Sequence, residues 1–546
     1  MKRHLFLITF LIQTSVFAQV TVSYQLIQTY SVENINSLIT EMGLPSGIIV
    51  PEYGVDFYRV LYTTEYKDSL VVVSGAMVVP KNMTCPAPLT SYMHGTTSKK
   101  LNVPSYNSSE KDICILFASE GNVVLAPDHV GLGASTINLH PYMHGWTEAH
   151  AAINLMRAAR EIIPEDENID VELSDQIFLF GYSQGGTTTC HTAKVIEELY
   201  SDEFTVTAIA PLSGAYNLSG AQTDFINSGQ PYATPGYLPY IIMGYQSIYP
   251  ELYENLSDIF IEPYASMFPN LFYGHNYNMG YINNQCAPIP LDMIQPAVRD
   301  EFITGTHLFN EKLNENDLLG WVPETRVVMA YCTGDEQVHY TNALNAQAAW
   351  SASSNYSIEA VEIGPQDHGG CVMFALLIAR HIFNTTNNNG IEIDLNYNST
   401  SNQFELSFVN NNAGDYGVLW STNHTGLILE NVESETEYTL TITNLATGCQ
   451  LVQTVSVANL TANTLATSIP EFKLYPNPSK SNISIQMGVY GTYDVQIVNS
   501  AGRVIFTKKQ VLASEILIDT QDFEPGSYFV VVHSENNAKS LPFIKL

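Results

Sequence analysis

The 546-residue chain carries 54 acidic against 22 basic side chains, a formal charge of −32. That balance excludes nucleic acid and anionic membrane surfaces as partners, because both need cationic patches. With 45% hydrophobic residues the chain can build a full-sized core, and its length implies two to four domains.

The N-terminus reads as an export signal. Lys2 and Arg3 precede an apolar run at residues 5–12, and Val16-Phe17-Ala18 forms a small-residue cleavage site before Gln19. The run is well under the ~20 residues needed to span a bilayer. A signal peptide at 1–18 is therefore expected, with no transmembrane segment after its removal.

From residue 20 to 383, short apolar runs alternate with helical patterns. Strands are expected at 69–79 (with a bend), 89–93, 122–126, 176–180, 208–212, 326–330 and 358–363, and a helix at 148–162. Such alternation means βαβ units and a mostly parallel sheet, the α/β class. Residues 215–320 break the pattern. They are dense in Tyr, Phe, Pro and Asn, lie between two expected core strands, and read as an inserted cap.

Residues 384–390 (NTTNNNG) are a polar linker. Beyond it the period changes to two, with strands at 391–397, 404–409, 438–443 and 449–457, a sandwich-like all-β module spanning 391–458. A second linker at 459–470 precedes a further all-β segment at 471–546.

The chemistry centres on Gly181-Tyr182-Ser183-Gln184-Gly185-Gly186. A G-x-S-x-G pattern alone is weak. Here a buried-strand run precedes it and a helical stretch follows, the strand–turn–helix of a nucleophile elbow. A serine hydroxyl needs a base, and the base an orienting carboxylate; in this arrangement they follow in the order Ser, Asp or Glu, His. Asp335 lies in the loop after the 326–330 strand, with Glu336 or Asp317 as substitutes. His368 lies after the 358–363 strand. A tetrahedral intermediate needs two donors. One is expected from the backbone N–H of Gln184. The other falls in the loop after residues 89–93, at Thr96, with Gly95 and Thr97 left open. His94 precedes the serine and is expected to shape that loop.

The seven cysteines are Cys85, Cys114, Cys190, Cys286, Cys332, Cys371 and Cys449. None has metal-ligand spacing, and an odd count leaves at least one unpaired. Cys332 and Cys371 lie three residues from Asp335 and His368, in loops that must converge. A disulfide between them is expected to fix the acid and base, with Cys190 a buried helix thiol.

These blocks taken together resemble the secretory-lipase and esterase branch of the α/β-hydrolases. The resemblance rests on YMHGTTS (92–98), VVLAPDHVGLGAS (123–135), HPYMHGWTEAHAAINLMRAAR (140–160), GYSQGG (181–186), CTGDEQV (332–338) and DHGGCV (367–372). It implies that Ser183, Asp335 and His368 are the triad, that Asp128 and His129 are structural, and that the fold is an α/β-hydrolase spanning 20–383. Residues 471–546 resemble the C-terminal sorting domain of Bacteroidetes type IX secretion substrates, through FKLYPNP (472–478), VQIVNSAGRV (495–504) and PGSYFVV (525–531). That implies the type IX machinery as a partner and export through the outer membrane to the medium or cell surface. Residues 391–458 are similar to Ig-like repeats of gliding-bacterium surface proteins, as a binding module or a spacer.

The expected activity is that of a secreted serine hydrolase cleaving a small-molecule ester or lipid through an acyl-enzyme, with no metal or cofactor. A serine peptidase on the same triad is one alternative. An adhesin or glycan-binding protein on a degenerate hydrolase scaffold is another.

Overall fold

A computed structural model describes residues 21–545 apart from breaks at 45–48, 392, 399–400, 409–412, 434–435, 458–471, 476–478, 500–503, 522, 524–525 and 535–536. The expected signal peptide and second linker lie outside the described residues.

Nine strands form one sheet: β1 (Thr21–Tyr30), β2 (Val55–Tyr66), β3 (Ser69–Pro80), β4 (Ala87–Met93), β5 (Val123–Pro127), β6 (Leu173–Tyr182), β7 (Ala208–Leu212), β8 (Arg326–Cys332) and β9 (Ile358–Gly364), in the spatial order 1-2-3-5-4-6-7-8-9. The first three pairings are antiparallel; from β5 through β9 all are parallel. Strands β4, β5 and β7 are buried at every position. This accounts for the continuous apolar runs of β5 and β7, since a parallel sheet is covered on both faces; β4 interrupts its run with the buried Thr90 and Ser91. β3 pairs with β2 along its whole length without a register shift.

The helices α1 (Val32–Glu41), α2 (Glu110–Ala118), α3 (Gly145–Glu165) and α4 (Gln184–Leu199) cover the two faces. On one, Ile153 and Leu155 of α3 and Ile196 of α4 pack with Val60, Leu89 and Leu179. On the other, Ile35, Phe117 and residues of the helix His368–Thr386 pack with Val78, Phe178 and Ala330. α3 lies so close to the sheet that a Cβ on Gly75 would stand 2.6 Å from Leu155 Cδ2. Among the elements the sequence does not mark, β1 and β2 have a physical reason. β1 is exposed along almost its whole length and pairs only at the edge, while the first half of β2 is buried on both faces. Neither shows clean alternation.

Between β7 and β8 the chain leaves the sheet and folds into short helices, among them Tyr237–Gln246, Tyr264–Phe272, Pro296–Thr304 and Leu308–Glu315. They share a core of Tyr240, Ile242, Phe260, Phe268, Phe302 and Phe309. The layer is thus more helical than its Tyr, Pro and Asn content implies, its apolar residues being spent on its own core.

Downstream, β10 (Ile393–Asn398), β11 (Gln403–Phe408), β12 (Tyr416–Trp420), β13 (Ile428–Glu430), β14 (Tyr438–Asn444) and β15 (Gln450–Val455) form two three-stranded antiparallel sheets. They share one core around Phe404, Trp420 and Leu440. A last antiparallel sheet comprises β16 (Phe472–Tyr475), β17 (Asn482–Asn499), β18 (Val504–Asp519), β19 (Gly526–Ser534) and β20 (Asn537–Lys545). Among the described residues no helix is long and apolar enough to cross a membrane.

The expected Cys332–Cys371 disulfide is present, and a second joins Cys85, just before β4, to Cys449, just before β15. Asn389 Nδ2 also donates to Gln450 O (2.9 Å), so the polar connection after His368–Thr386 is held against the first small sandwich. Closing the 39-residue separation between Cys332 and Cys371 is worth roughly 4 kcal/mol in the chain-entropy account. Alkylation in denaturant without reductant should label only Cys114, Cys190 and Cys286. Peptide mapping that finds label on Cys371 or Cys449 would contradict the pairing.

Candidate active site

Strand β6 ends at Tyr182 and α4 begins at Gln184, leaving Ser183 in the turn with φ 60° and ψ −120°. A non-glycine residue persists there only when its surroundings over-determine it. They do: Ser183 N–H donates to Leu212 O (2.9 Å), and its own carbonyl accepts from Gly186 N–H (2.9 Å). The glycines around it are required by contact. A Cβ on Gly181 would stand 2.5 Å from Gly185 O, and one on Gly185 only 1.9 Å from Met93 O. The turn therefore presents Ser183 at the head of α4, where the helix dipole favours negative charge.

Asp335 follows β8, and His368 opens the helix after β9. His368 Nδ1 and Asp335 Oδ2 lie 2.7 Å apart, both buried. The other carboxylate oxygen, Oδ1, accepts the backbone N–H groups of Gln337 (2.9 Å) and Val338 (2.8 Å). The two loops nearly touch, since a Cβ on Gly334 would stand 2.3 Å from Pro365 O. The Cys332–Cys371 disulfide ties their bases. Tyr182, beside the serine, donates its hydroxyl to His368 O (2.7 Å), linking elbow and histidine loop. Among the described residues neither Ser183 Oγ nor His368 Nε2 has a hydrogen-bond partner, so both atoms remain open to a substrate; such contacts are often long without one and tighten when it binds.

Glu336 and Asp317 make other contacts. Glu336 Oε2 accepts the His368 backbone N–H (2.9 Å). Burial would raise its carboxyl, but the His368 N–H and the Gln337 amide hold it below the usual range. Asp317 accepts from Ser219 N (3.0 Å) and its hydroxyl. His339 pairs with Thr341, and His307 caps the helix Leu308–Glu315.

The loop after β4 carries His94, Gly95, Thr96 and Thr97. His94 Nδ1 donates to Gly95 O (2.7 Å), a bond that shapes the loop. Asp128 is fully buried, accepting Ser105 N (2.9 Å) and the hydroxyls of Ser74 (2.6 Å) and Ser105 (2.5 Å). Burial raises its pKa. Its contacts are those of a clamp on the 98–108 segment. Thr96 Oγ1 meets Tyr142 OH (2.9 Å). Among the described residues the backbone N–H groups of Gly95, Thr96, Thr97 and Gln184 have no hydrogen-bond partner.

Ser183 and Gln184 open into an apolar cleft of about 430 Å³, walled by Tyr142, Leu218, Tyr232, Tyr237, Ile241 and Val338. None of the residues lining it is charged. Burial pushes the Tyr237 phenol up to about 12, so it acts there as a neutral donor, to Gln337 Oε1 at 2.9 Å. A second cavity of about 390 Å³ shares Leu218, Gln222, Ile226 and Ile241 with the first and continues between Phe302, Phe309 and Leu313. The sequence offered no motif for these walls, which come from the inserted helices.

Residues 108–376 match the family model described as secretory lipase, and residues 473–545 match that of the secretion system C-terminal sorting domain. Among solved structures, a provisionally assigned hydrolase from Legionella pneumophila is 26% identical over 67% of this chain and 98% of its own, with a TM-score of 0.62. The rice cell wall degrading esterase LipA from Xanthomonas oryzae is 26% identical over 66% of this chain and 95% of its own, with a TM-score of 0.57. Candida antarctica lipase A, at 16% identity over 66% and 82% and a TM-score of 0.50, shares the fold. No curated protein matches the chain. The large sheet and its helices thus have the hydrolase fold, and the sorting domain marks a protein exported through the outer membrane, secreted or held at the cell surface.

Proposed function

We propose that this protein hydrolyses carboxylic esters with an apolar acyl group, through Ser183, His368 and Asp335. In this reading residues 20–383 are the catalytic unit, 215–320 its cap, 391–458 an Ig-like module, and 471–546 the domain read by the type IX secretion machinery. The observation that carries it is the buried Asp335–His368 pair, disulfide-tied and linked through Tyr182 to a serine that lines an uncharged cleft.

Asp335 keeps the proton on His368 Nδ1, so Nε2 is the basic nitrogen. Nε2 takes the Ser183 proton as Oγ attacks the ester carbonyl. The N–H groups of Gln184 and Thr96 hold the oxyanion. The imidazolium then protonates the departing alcohol, leaving an acyl-enzyme. Water, deprotonated by the same nitrogen, releases the acid and restores Ser183.

The peptidase alternative uses the same groups, because fold and triad do not choose between amide and ester. The uncharged cleft favours the ester reading, offering no ion-pair anchor for a peptide terminus. A p-nitrophenyl ester chain-length series run beside peptidyl p-nitroanilides tests it. Ester turnover is expected, rising from acetate to longer acyl groups that reach the second cavity. Leu313→Trp, filling that cavity, should cut long-chain kcat/KM by about tenfold or more and leave acetate nearly unchanged. Turnover of peptides but not esters would contradict the reading.

A further inference from the structure

We propose that Glu148 is a positioning residue, which fixes the oxyanion donor of Gln184 by holding that residue's side chain inside a buried histidine array. The inference rests on the ester-hydrolase reading above, which makes Gln184 and the 94–97 loop the two halves of the oxyanion hole.

Glu148 lies in the first turns of α3 and is 1% exposed. Its Oε1 accepts Gln184 Nε2 (2.7 Å) and the Met143 backbone N–H (2.9 Å); its Oε2 accepts the Thr188 hydroxyl. A carboxylate only accepts, so the Gln184 amide must turn its nitrogen towards it. The same nitrogen lies 2.8 Å from His140 Nε2. His140 Nδ1 is 2.8 Å from Val130 O, and a carbonyl cannot donate. Nδ1 therefore carries a proton, which leaves Nε2 to accept from the Gln184 amide, and the same Nε2 lies 3.4 Å from Glu148 Oε1. Both Gln184 amide hydrogens are thus committed, one to Glu148 and one to His140. This leaves the side chain one orientation and braces the backbone N–H directly after the nucleophile.

The array reaches the other half of the hole. The His140 ring stacks on His129 (centroids 5.6 Å), and His129 packs on His94 (4.7 Å) in the loop after β4. His140 N–H donates to His275 Nε2 (3.1 Å), and His275 Nδ1 donates to Ser98 O (3.0 Å). Burial holds His129 neutral, its pKa well below the usual value. Glu148 anchors a point where this array meets the nucleophile helix. The hydrolysis steps themselves use none of these side chains.

The test is steady-state kinetics on a p-nitrophenyl ester with Glu148→Ala, Glu148→Gln, Gln184→Ala and the Glu148→Ala/Gln184→Ala pair. Losing one oxyanion donor outright costs about 10²–10³ in kcat, so a misplaced donor should cost about 10–100-fold. Glu148→Ala and Gln184→Ala are each expected to lose that much kcat with KM changed less than about threefold. The pair should be no worse than the worse single variant. Glu148→Gln, whose amide oxygen can still accept from Gln184, should recover most of the rate. Binding of a trifluoromethyl ketone should weaken in step with kcat. Should Glu148→Ala fail to fold, Gln184→Ala, which keeps every backbone contact, carries the same prediction. A kcat within threefold of wild type in Glu148→Ala or Gln184→Ala, or losses that multiply in the pair, would overturn the proposal. Turnover surviving in Ser183→Ala would instead strike at the hydrolase reading.

Discussion

Ser183→Ala is expected to lower ester turnover by at least about 10⁴-fold, with the thermal midpoint unchanged within a few degrees. The size follows from what the substitution removes. Oγ is the only atom lost, and among the described residues no hydrogen bond depends on it. The strained turn is held by Ser183 N–H on Leu212 O and by the tight approach of Gly185 to Met93. These backbone contacts survive in alanine. Residual activity would come from the oxyanion donors and the cleft acting on a bound ester with water as nucleophile. Stopped assays of p-nitrophenolate release, with circular dichroism on the same samples, check both halves of this expectation.

The second large effect belongs to Asp335→Asn, with a loss of about 10⁴ in kcat. Asp335 Oδ1 is pinned by the N–H groups of Gln337 and Val338. An asparagine must leave its carbonyl oxygen with those donors, which turns its NH₂ towards His368 Nδ1. An NH₂ group donates, so Nδ1 must become the acceptor and the ring proton moves to Nε2. A histidine protonated at Nε2 cannot take the serine proton. Glu336→Gln is the control. Glu336 meets the backbone of His368, not its ring, so its loss should cost less than about tenfold. A result in the reverse order, with Glu336 critical and Asp335 dispensable, would move the carboxylate of the site to Glu336.

Much of this arrangement is legible in the chain itself. The runs that became β5 and β7 are apolar throughout because both sheet faces are covered. The loops at the C-terminal ends of β4, β6, β8 and β9 carry residues 94–97, Ser183, Asp335 and His368. Spacing placed Cys332 and Cys371 beside the acid and the base, and the structure pairs them. The edge of the sheet was not legible, because β1 is almost wholly exposed and has no face to mark. Nor was the Cys85–Cys449 bridge, whose partners are 364 residues apart in sequence. The cleft walls escaped for another reason. Leu218, Ile241, Phe302 and Phe309 come from separate short helices, and their convergence depends on packing within the insertion. Tyr182 belongs to the elbow pattern, yet its hydroxyl bond to His368 O needs the loop after β9 in place. Glu148 opens the expected 148–162 helix, and nothing in its spacing marks the contact of its carboxylate with Gln184.

The most direct test of the central claim is the site of covalent modification by a p-nitrophenyl alkylphosphonate. Its phosphorus mimics the ester carbonyl, and its adduct with serine is stable enough for peptide mass spectrometry. One equivalent of p-nitrophenolate released per chain, with the phosphonyl mass on the peptide containing Ser183, is the predicted result. Hydroxylamine or acid treatment during work-up should leave that assignment unchanged. A stoichiometric adduct on any other residue, or full ester turnover by protein that takes up no label at Ser183, would contradict it.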